Sequence, residues 1–126
     1  MNKPRFPLPQ VAKPAGGGTA ILYDDLKSGL TITGPEQTTN AKRFRVVAYV
    51  TGQNMTFYHK WSAHGQTTQR VFNGDGSGET VTAGTLFQRN CLLLPGRNQF
   101  SLVAGGTAPT LYEVSCELDE FGGLGQ

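Results

Sequence analysis

Short runs in which apolar and polar residues alternate recur along this 126-residue chain, and this period of two limits its fold more than any other feature. Successive side chains of a β-strand point to opposite faces, so each run can bury one face and expose the other. An amphipathic helix would need a period of about 3.6 residues, and no run in the sequence offers a convincing one. The pattern therefore predicts an all-β protein.

The strand candidates are separated by turn signals rich in glycine and proline, such as Gly34-Pro35 and Pro95-Gly96. The predicted strands are 19–23, 30–33, 43–50, 55–62, 69–72, 79–81, 86–94, 99–103 and 111–118. Thr51–Asn54 is expected to join the third and fourth of these as a hairpin. Eight or nine short strands at this spacing indicate an antiparallel β-sandwich or barrel, and the eight-stranded jelly roll fits the count best.

The same alternation predicts which side chains form the core. A chain of this length can bury an adequate core without disulfides or metals. The faces expected to point inward are Phe44, Val46, Ala48 and Val50 in the third strand, Met55, Phe57, His59 and Trp61 in the fourth, and Tyr112, Val114, Cys116 and Leu118 in the last.

Residues 1–18 are predicted to form an extended arm, followed by a β-sandwich domain at 19–120 and a short flexible tail at 121–126. Four prolines in the arm exclude a helix or a central strand. The arm carries three cationic residues, and no acidic residue precedes Asp24. The glycines at 16–18 are expected to act as a hinge. The arm is either a disordered terminus or a segment that becomes ordered on a neighbouring subunit.

Four residues of the arm are predicted to bind a partner. Arg5 can pair with a carboxylate, and Phe6, Leu8 and Val11 are apolar side chains that need a surface to cover them. Because the arm adds contact area without enlarging the core, its removal is expected to weaken attachment and to leave the melting of the fold nearly unchanged.

The sequence offers little material for catalysis, and we predict no catalytic residue, no metal site and no cofactor. His59 lies in an alternating strand, which favours a packed, hydrogen-bonded imidazole over a general base. Its spacing to His64 suits one face of a helix, and a zinc site would need further ligands. Cys91 and Cys116 lie in predicted strands and suit buried free thiols, and a disulfide stays open if their strands are neighbours.

Residues 73–79 imitate a calcium-binding loop, with oxygen-bearing side chains at the first, third, fifth and seventh positions. The twelfth position is Gly84, where an EF-hand requires a bidentate glutamate. A flexible hairpin connection is therefore favoured. Its glycines let the backbone approach another molecule closely, so Asn73, Asp75 and Ser77 are predicted as a candidate contact loop.

Charge and hydropathy limit the partners. A net charge of +2 is mild, and a nucleic-acid patch would have to combine the cations at 42–45 with Tyr49 and Lys60 across the predicted hairpin. A solvated sheet face explains these residues more simply, so no specific nucleic-acid partner is predicted. No segment contains the roughly 20 apolar residues of a membrane helix, and no apolar signal region follows Met1. No membrane partner is expected.

Four segments, RFRVVAYVTGQNMTFYHKWS, VFNGDGSGETVTAGTLFQR, LLLPGRNQFSLVAGGTAPT and LYEVSCEL, carry a resemblance to a known class of protein. Together they lie within 43–118 and resemble small structural proteins of tailed-bacteriophage virions, in particular the jelly-roll decoration, or cement, proteins. The resemblance implies a non-enzymatic protein that binds the major capsid protein of an assembled shell as a homodimer or homotrimer. It would be made in the host cytoplasm and located on the capsid surface.

The mechanism expected from this resemblance is multivalent clamping, in which the body binds the shell while residues 1–18 reach an adjacent subunit. One alternative is a receptor- or glycan-binding module of a phage tail or fibre. Tyr49, Tyr58 and Trp61 are close in sequence and suggest an aromatic platform, although the alternation places Trp61 with the core. The other alternative is a shell protein that assembles with itself.

Overall fold

The computed structural model describes residues 5–8, 10–24, 41–63 and 65–121. These residues form nine strands and a short 3₁₀ turn at Gly74–Gly76. A helix able to cross a membrane does not occur in this part of the chain. The strands are β1 (Arg5–Pro7), β2 (Thr19–Asp24), β3 (Ala41–Thr51), β4 (Met55–Ser62), β5 (Arg70–Val71), β6 (Glu79–Val81), β7 (Phe87–Leu92), β8 (Arg97–Ala104) and β9 (Leu111–Phe121).

The strands form two antiparallel sheets that pack face to face. Sheet A has the order β1-β9-β3-β7, and sheet B has the order β2-β8-β4-β5, with β6 also paired to β4. Because β5 and β6 pair with different parts of β4, they are two pieces of one interrupted edge strand. If β5 and β6 are counted as one strand, each sheet has four strands. Every connection along the chain then crosses from one sheet to the other, except the connection from β4 to β5. This arrangement confirms the predicted eight-stranded jelly-roll sandwich.

The core lies between the sheets and is built around stacked aromatic rings. Phe44 of sheet A stacks on Phe100 of sheet B with ring centroids 4.1 Å apart, and Phe57 lies 6.0 Å from Phe100. Each of these rings is fully buried, which contributes about 2 to 3 kcal/mol per side chain. The remaining core side chains are Leu22, Val46, Ala48, Val50, Met55, Val81, Phe87, Leu93, Leu102 and Ala104.

The alternation predicted the inward faces of β3 and β9 correctly. The predicted face of β3 is fully buried, and that of β9 is half-buried against the core. Bounds also agree closely, since β4 and β6 begin and end where the pattern places them. The strand predicted at 30–33 lies outside the described residues.

The connection at Thr51–Asn54 is not the predicted hairpin. It carries the chain from sheet A to sheet B, because β3 pairs with β7 and β9 whereas β4 pairs with β8, β5 and β6. Alternation defines which face of a strand is buried, but it does not define the neighbouring strand. Two apolar faces that follow each other along the chain are here buried against one another across the sandwich.

The alternation also breaks at the end of β4. Trp61, which the pattern places inward, is half-buried, and its Nε1 donates to the carbonyl oxygen of Pro95 at 2.6 Å. Ser62 is fully buried instead, with its hydroxyl 2.9 Å from the carbonyl oxygens of Gln66 and Thr68. The carbonyl oxygens of Pro95, Gln66 and Thr68 need hydrogen-bond donors at this end of the strand. Trp61 and Ser62 supply them, and their side chains therefore depart from the alternating pattern.

The two cysteines are free thiols. Cys91 of β7 and Cys116 of β9 are separated by β3 and lie opposite different residues of it, so their Cα atoms are more than two strand spacings, roughly 9.5 Å, apart. A disulfide needs Cα atoms within about 7 Å, so this pairing is excluded. Burial raises the pKa of Cys91 to about 11 and that of Cys116 to about 12, which makes both thiols poor nucleophiles.

Candidate partner-binding site

The first candidate site is the N-terminal arm, and the structure makes it part of the sandwich. Arg5–Pro7 forms β1, which pairs with β9 at the edge of sheet A. An edge tolerates Pro7 because one side of the strand needs no N–H donor. The backbone N–H of Leu8 then donates to the carbonyl oxygen of Cys116 at 3.0 Å. The side chains of Arg5 and Phe6 lie outside the described part of the structure.

The other two arm residues face their own chain. Leu8 and Val11 are half-buried and pack against the core, and Pro14, further along the arm, is buried. These contacts use apolar area that was predicted to bind a partner. They also make the arm a source of stability, so the expectation that its removal leaves melting unchanged conflicts with the observed packing.

The glycines at 16–18 form a docked turn where the sequence predicted a hinge. The N–H of Gly17 donates to the carbonyl oxygen of Gly105, and the N–H of Ala104 donates to the carbonyl oxygen of Gly18 at 2.9 Å. Gly16 lies so close to the backbone of Gly106 that a side chain would clash. Glycines are needed here because only residues without a side chain let the backbone at 16–18 approach the backbone at 104–106 this closely.

The second candidate site is the loop at 73–78, which interrupts the edge between β5 and β6. Where neither β5 nor β6 pairs with β4, the side-chain amide of Asn73 supplies hydrogen bonds that a paired strand would make. Its Oδ1 accepts from the backbone N–H of His59, and its Nδ2 donates to the carbonyl oxygen of Phe57, both at 2.9 Å. The same Nδ2 lies 3.2 Å from a carboxylate oxygen of Glu79. Asn73 therefore holds the loop to the sandwich.

The remaining predicted residues of this loop, Asp75 and Ser77, are exposed. Asp75 has a φ of 54°, and the hydroxyl of Ser77 donates to the carbonyl oxygen of Gly74 at 2.7 Å. No group of three metal-ligating side chains occurs here or elsewhere among the described residues. The loop presents one carboxylate to solvent.

A third surface, the outer face of sheet A, was interpreted from the sequence only as a solvated sheet face and not as a partner-binding site. Arg45 and Glu117 are cross-strand neighbours in it, with nitrogen and oxygen 3.5 Å apart. With Val47 and Ser115 they line an open depression of about 200 Å³. Val47 is 39% exposed and Leu92 is 55% exposed on the same face. Exposed apolar side chains beside an arginine match the composition of many protein-binding surfaces. The signal available in the sequence was the set of outward residues in β3.

The two sheets separate the residues that a nucleic-acid or glycan site would combine. Tyr49 belongs to β3 in sheet A, whereas Tyr58, Lys60 and Trp61 belong to β4 in sheet B. The ammonium group of Lys60 lies 5.7 Å from the ring centroid of Tyr58. Neither the cationic patch nor the aromatic platform suggested by sequence proximity forms across the two strands.

His59 is the packed, hydrogen-bonded imidazole that the alternation predicted. It is 2% exposed, its ring centroid lies 4.2 Å from that of Phe100, and its Nε2 lies 2.8 Å from Oδ1 of Asn98. Burial lowers the pKa of His59, and the hydrogen bond to Asn98 partly opposes that shift. His64 lies outside the described residues.

The protonation of this imidazole follows from the bonds of Asn98. Its Oδ1 accepts from the N–H of Leu94, and its Nδ2 donates to the carbonyl oxygen of Leu94, each at 3.0 Å. These two bonds fix the orientation of the amide, so the oxygen faces His59 and the imidazole Nε2 must carry the proton. No sequence signal identified Asn98.

The solved structures similar to this chain include one titled "Structure of infectious bursal disease virus Gx strain". It shares 15% sequence identity with this chain and has a TM-score of 0.45. The match covers 95% of this chain and 30% of the solved chain, so this chain spans less than a third of that length. No protein-family model and no curated protein sequence matches the chain. The comparisons therefore assign no family.

Proposed function

We propose that the protein is a non-enzymatic virion structural protein, which binds the outside of an assembled phage capsid and stabilises it by bridging neighbouring subunits. The observation that carries the proposal is the outer face of sheet A, where the Arg45–Glu117 pair lies beside exposed Val47 and Leu92. Jelly-roll sandwiches are used by viral capsid domains and by lectins. The sequence resemblance to phage decoration proteins favours the capsid role.

The contact made by this face follows from its composition. Val47 and Leu92 supply apolar area. The guanidinium of Arg45 and the carboxylate of Glu117 can form hydrogen bonds with polar groups of a partner. Because β1 belongs to the same sheet, the arm extends this face along one edge. We propose the major capsid protein as the partner and the capsid surface as the location, after synthesis in the host cytoplasm.

The glycan-binding alternative has less support. Its aromatic platform depended on Tyr49 lying beside Tyr58 and Trp61, and these residues belong to different sheets. A flat aromatic surface is the usual way to bind sugar rings, so the capsid proposal is the better supported of the two.

The test is co-sedimentation of the purified protein with undecorated shells of the virus that encodes it. Val47→Asp places a charge in the centre of the proposed face and is expected to weaken attachment about tenfold, or about 1.4 kcal/mol. Thr56→Asp is the matched control, because Thr56 lies on the outer face of sheet B, opposite Val103. The control is expected to sediment like the unmodified protein.

Two results would count against the proposal. Unmodified protein that stays in the supernatant with intact shells would overturn capsid binding. Equal binding by Val47→Asp and the unmodified protein would overturn the choice of face. Isolated capsid subunits are the second control, since bridging requires an assembled lattice and predicts poor binding to them.

A further inference from the structure

The sheet edges of the sandwich differ in how well they are protected against pairing with another strand. Natural edges are blunted by proline, by bulges or by short length. β1 contains Pro7, and β2 has a register shift between Ile21 and Tyr23 in its pairing with β8. β5 and β6 are two and three residues long and are interrupted by the 3₁₀ turn. Three edges are therefore poor templates for a further strand.

The fourth edge, β7, has no proline, no bulge and no interruption; its one charged residue, Arg89, lies opposite Val46 and is paired with Glu79. It is a regular strand of six residues that, within the described chain, pairs with β3 alone. It contains no proline and no lysine, and its central residues, Gln88–Asn90, are exposed. Exposed leucines lie at both ends, with Leu86 60% exposed and Leu92 55% exposed. An open edge flanked by apolar side chains is a surface for strand addition.

We propose that β7 pairs antiparallel with β7 of a second copy of this chain, about a two-fold axis at Arg89. On the outer face, this register puts Leu86 opposite Leu92 of the second copy, and Gln88 opposite Asn90 of the second copy. Directly opposed side chains in an antiparallel pair lie about 5 Å apart, so each exposed leucine packs side by side with a leucine of the second copy on the outer face.

The match between leucines selects this register. Directly opposed residues must point to the same face of the sheet, so the pairing can shift only by two residues at a time. Such a shift moves the two-fold axis by one residue along the strand. An axis at Asn90 would place Leu92 opposite Gln88, and an axis at Gln88 would place Leu86 opposite Asn90. Only the axis at Arg89 pairs both leucines and both amides.

Arg89 would then face Arg89 of the second copy, and its own contacts reduce the repulsion. Its Nε donates to a carboxylate oxygen of Glu79 at 2.7 Å, and its Nη1 donates to the carbonyl oxygen of Gln88 at 2.7 Å. The guanidinium carbon lies 4.6 Å from the ring centroid of Phe87. Each cation is thus paired within its own chain and held beside the strand.

The dimer joins two copies of sheet A into one continuous eight-stranded sheet and places their outer faces side by side. A ladder of this length is small beside the roughly 1,600 Å² of a stable interface, so dimerisation should depend on concentration. The inference concerns the purified protein alone and does not depend on capsid binding.

The experiment is sedimentation equilibrium of the full chain over a range of concentrations. Leu86→Lys and Leu92→Glu, made singly, each place a charge opposite a leucine and are expected to weaken the dimer at least about tenfold. In the double variant, the introduced lysine of each copy faces the introduced glutamate of the other, and dimerisation should return. The two positions are about 20 Å apart within one strand, so the new charges cannot pair intramolecularly.

Leu111→Lys is the matched control, because Leu111 is 39% exposed at the start of β9, away from the β7 edge. It should dimerise like the unmodified protein. A protein that is monomeric at every concentration, or that forms a larger discrete oligomer, overturns the proposal. So does a dimer that is insensitive to both single substitutions, or a double variant that stays monomeric.

Discussion

The two ends of the sandwich are closed by different chemistry. Where β3 ends and β9 begins, backbone meets backbone, and the N–H of Thr110 donates to the carbonyl oxygen of Thr51 at 2.8 Å. We call this the backbone end. Toward the opposite end, from the middle of β4 to the start of β8, the side-chain amide of Asn73 bonds to backbone groups of β4 and that of Asn98 bonds to the backbone of Leu94. We call this the amide end.

Because the two ends are closed differently, they should respond differently to substitutions that add or remove side-chain atoms. Glycines allow the close approach at the backbone end, so added atoms should be harmful there. A primary amide carries a donor and an acceptor and can replace a peptide group, so removed atoms should be harmful at the amide end. Substitutions at each end test this contrast, beginning with the largest expected effect.

Asn98→Ala should be the most destabilising of these changes, by about 3 kcal/mol. It removes both bonds to Leu94 and the partner of His59, in a site where Asn98 has no exposed surface. Buried groups left without partners keep their full cost of desolvation. Denaturant unfolding measures the loss. Asn90→Ala removes an exposed amide and should change stability by less than about 0.5 kcal/mol. Similar losses in the two variants would contradict the amide end as described.

Gly52→Ala tests the backbone end and should cost about 2 to 3 kcal/mol. Gly52 has a φ of 85°, and an added Cβ would meet the side chain of Thr110. Gly84→Ala is the matched control, since Gly84 has a φ of 82° with open space around the added atom. It should cost only the backbone strain, about 1 kcal/mol. Thermal or denaturant unfolding of the pair separates crowding from strain, and equal losses would exclude a close approach.

Asn73→Ala should cost about 1 to 2 kcal/mol, less than Asn98→Ala, because Asn73 is only partly buried. Its loss leaves the N–H of His59 and the carbonyl oxygen of Phe57 without their partners. Ser77→Ala removes one exposed hydrogen bond in the same loop and should cost less than about 0.5 kcal/mol. Hydrogen exchange at the His59 amide gives a local readout, and unchanged protection in Asn73→Ala would disprove the bond.

How much of this could be predicted from the sequence depends on how local the signal is. The inward face of β3 was predicted because alternation is a property of neighbouring residues. The amide end was not, because Asn73 and Asn98 reach His59 from 14 and 39 residues away along the chain. Such partners are set by the jelly-roll topology, which the alternation does not specify.

The candidate site shows the same limit. The sequence identified Leu8 and Val11 as apolar side chains in need of a covering surface, and the structure supplies that surface from their own core. A proline-rich segment with exposed apolar residues looks the same whether its partner is the same chain or another. The outer face of sheet A was missed because its residues come from three strands that are distant in sequence.

The smallest predicted effect is a pH dependence at the amide end. Burial lowers the pKa of His59 in the folded protein below the unfolded value of about 6.5. The unfolded chain therefore binds a proton more readily than the folded protein. The resulting stability is fully present above about pH 6.5 and is lost as the pH falls below it, by at most about 1.4 kcal/mol per pH unit.

The measurement is the free energy of unfolding at about pH 7.5 and about pH 5.5, for the unmodified protein and for His59→Gln. Glutamine cannot titrate, so the variant should lose less stability on acidification, by up to about 1 kcal/mol, whatever its stability at neutral pH. Asn98→Asp sharpens the test, because a carboxylate beside Nε2 favours the protonated imidazole and should reduce the acid sensitivity due to His59. If the unmodified protein and His59→Gln lose stability equally, the buried imidazole does not make the amide end sensitive to acid, and the two ends differ in packing alone.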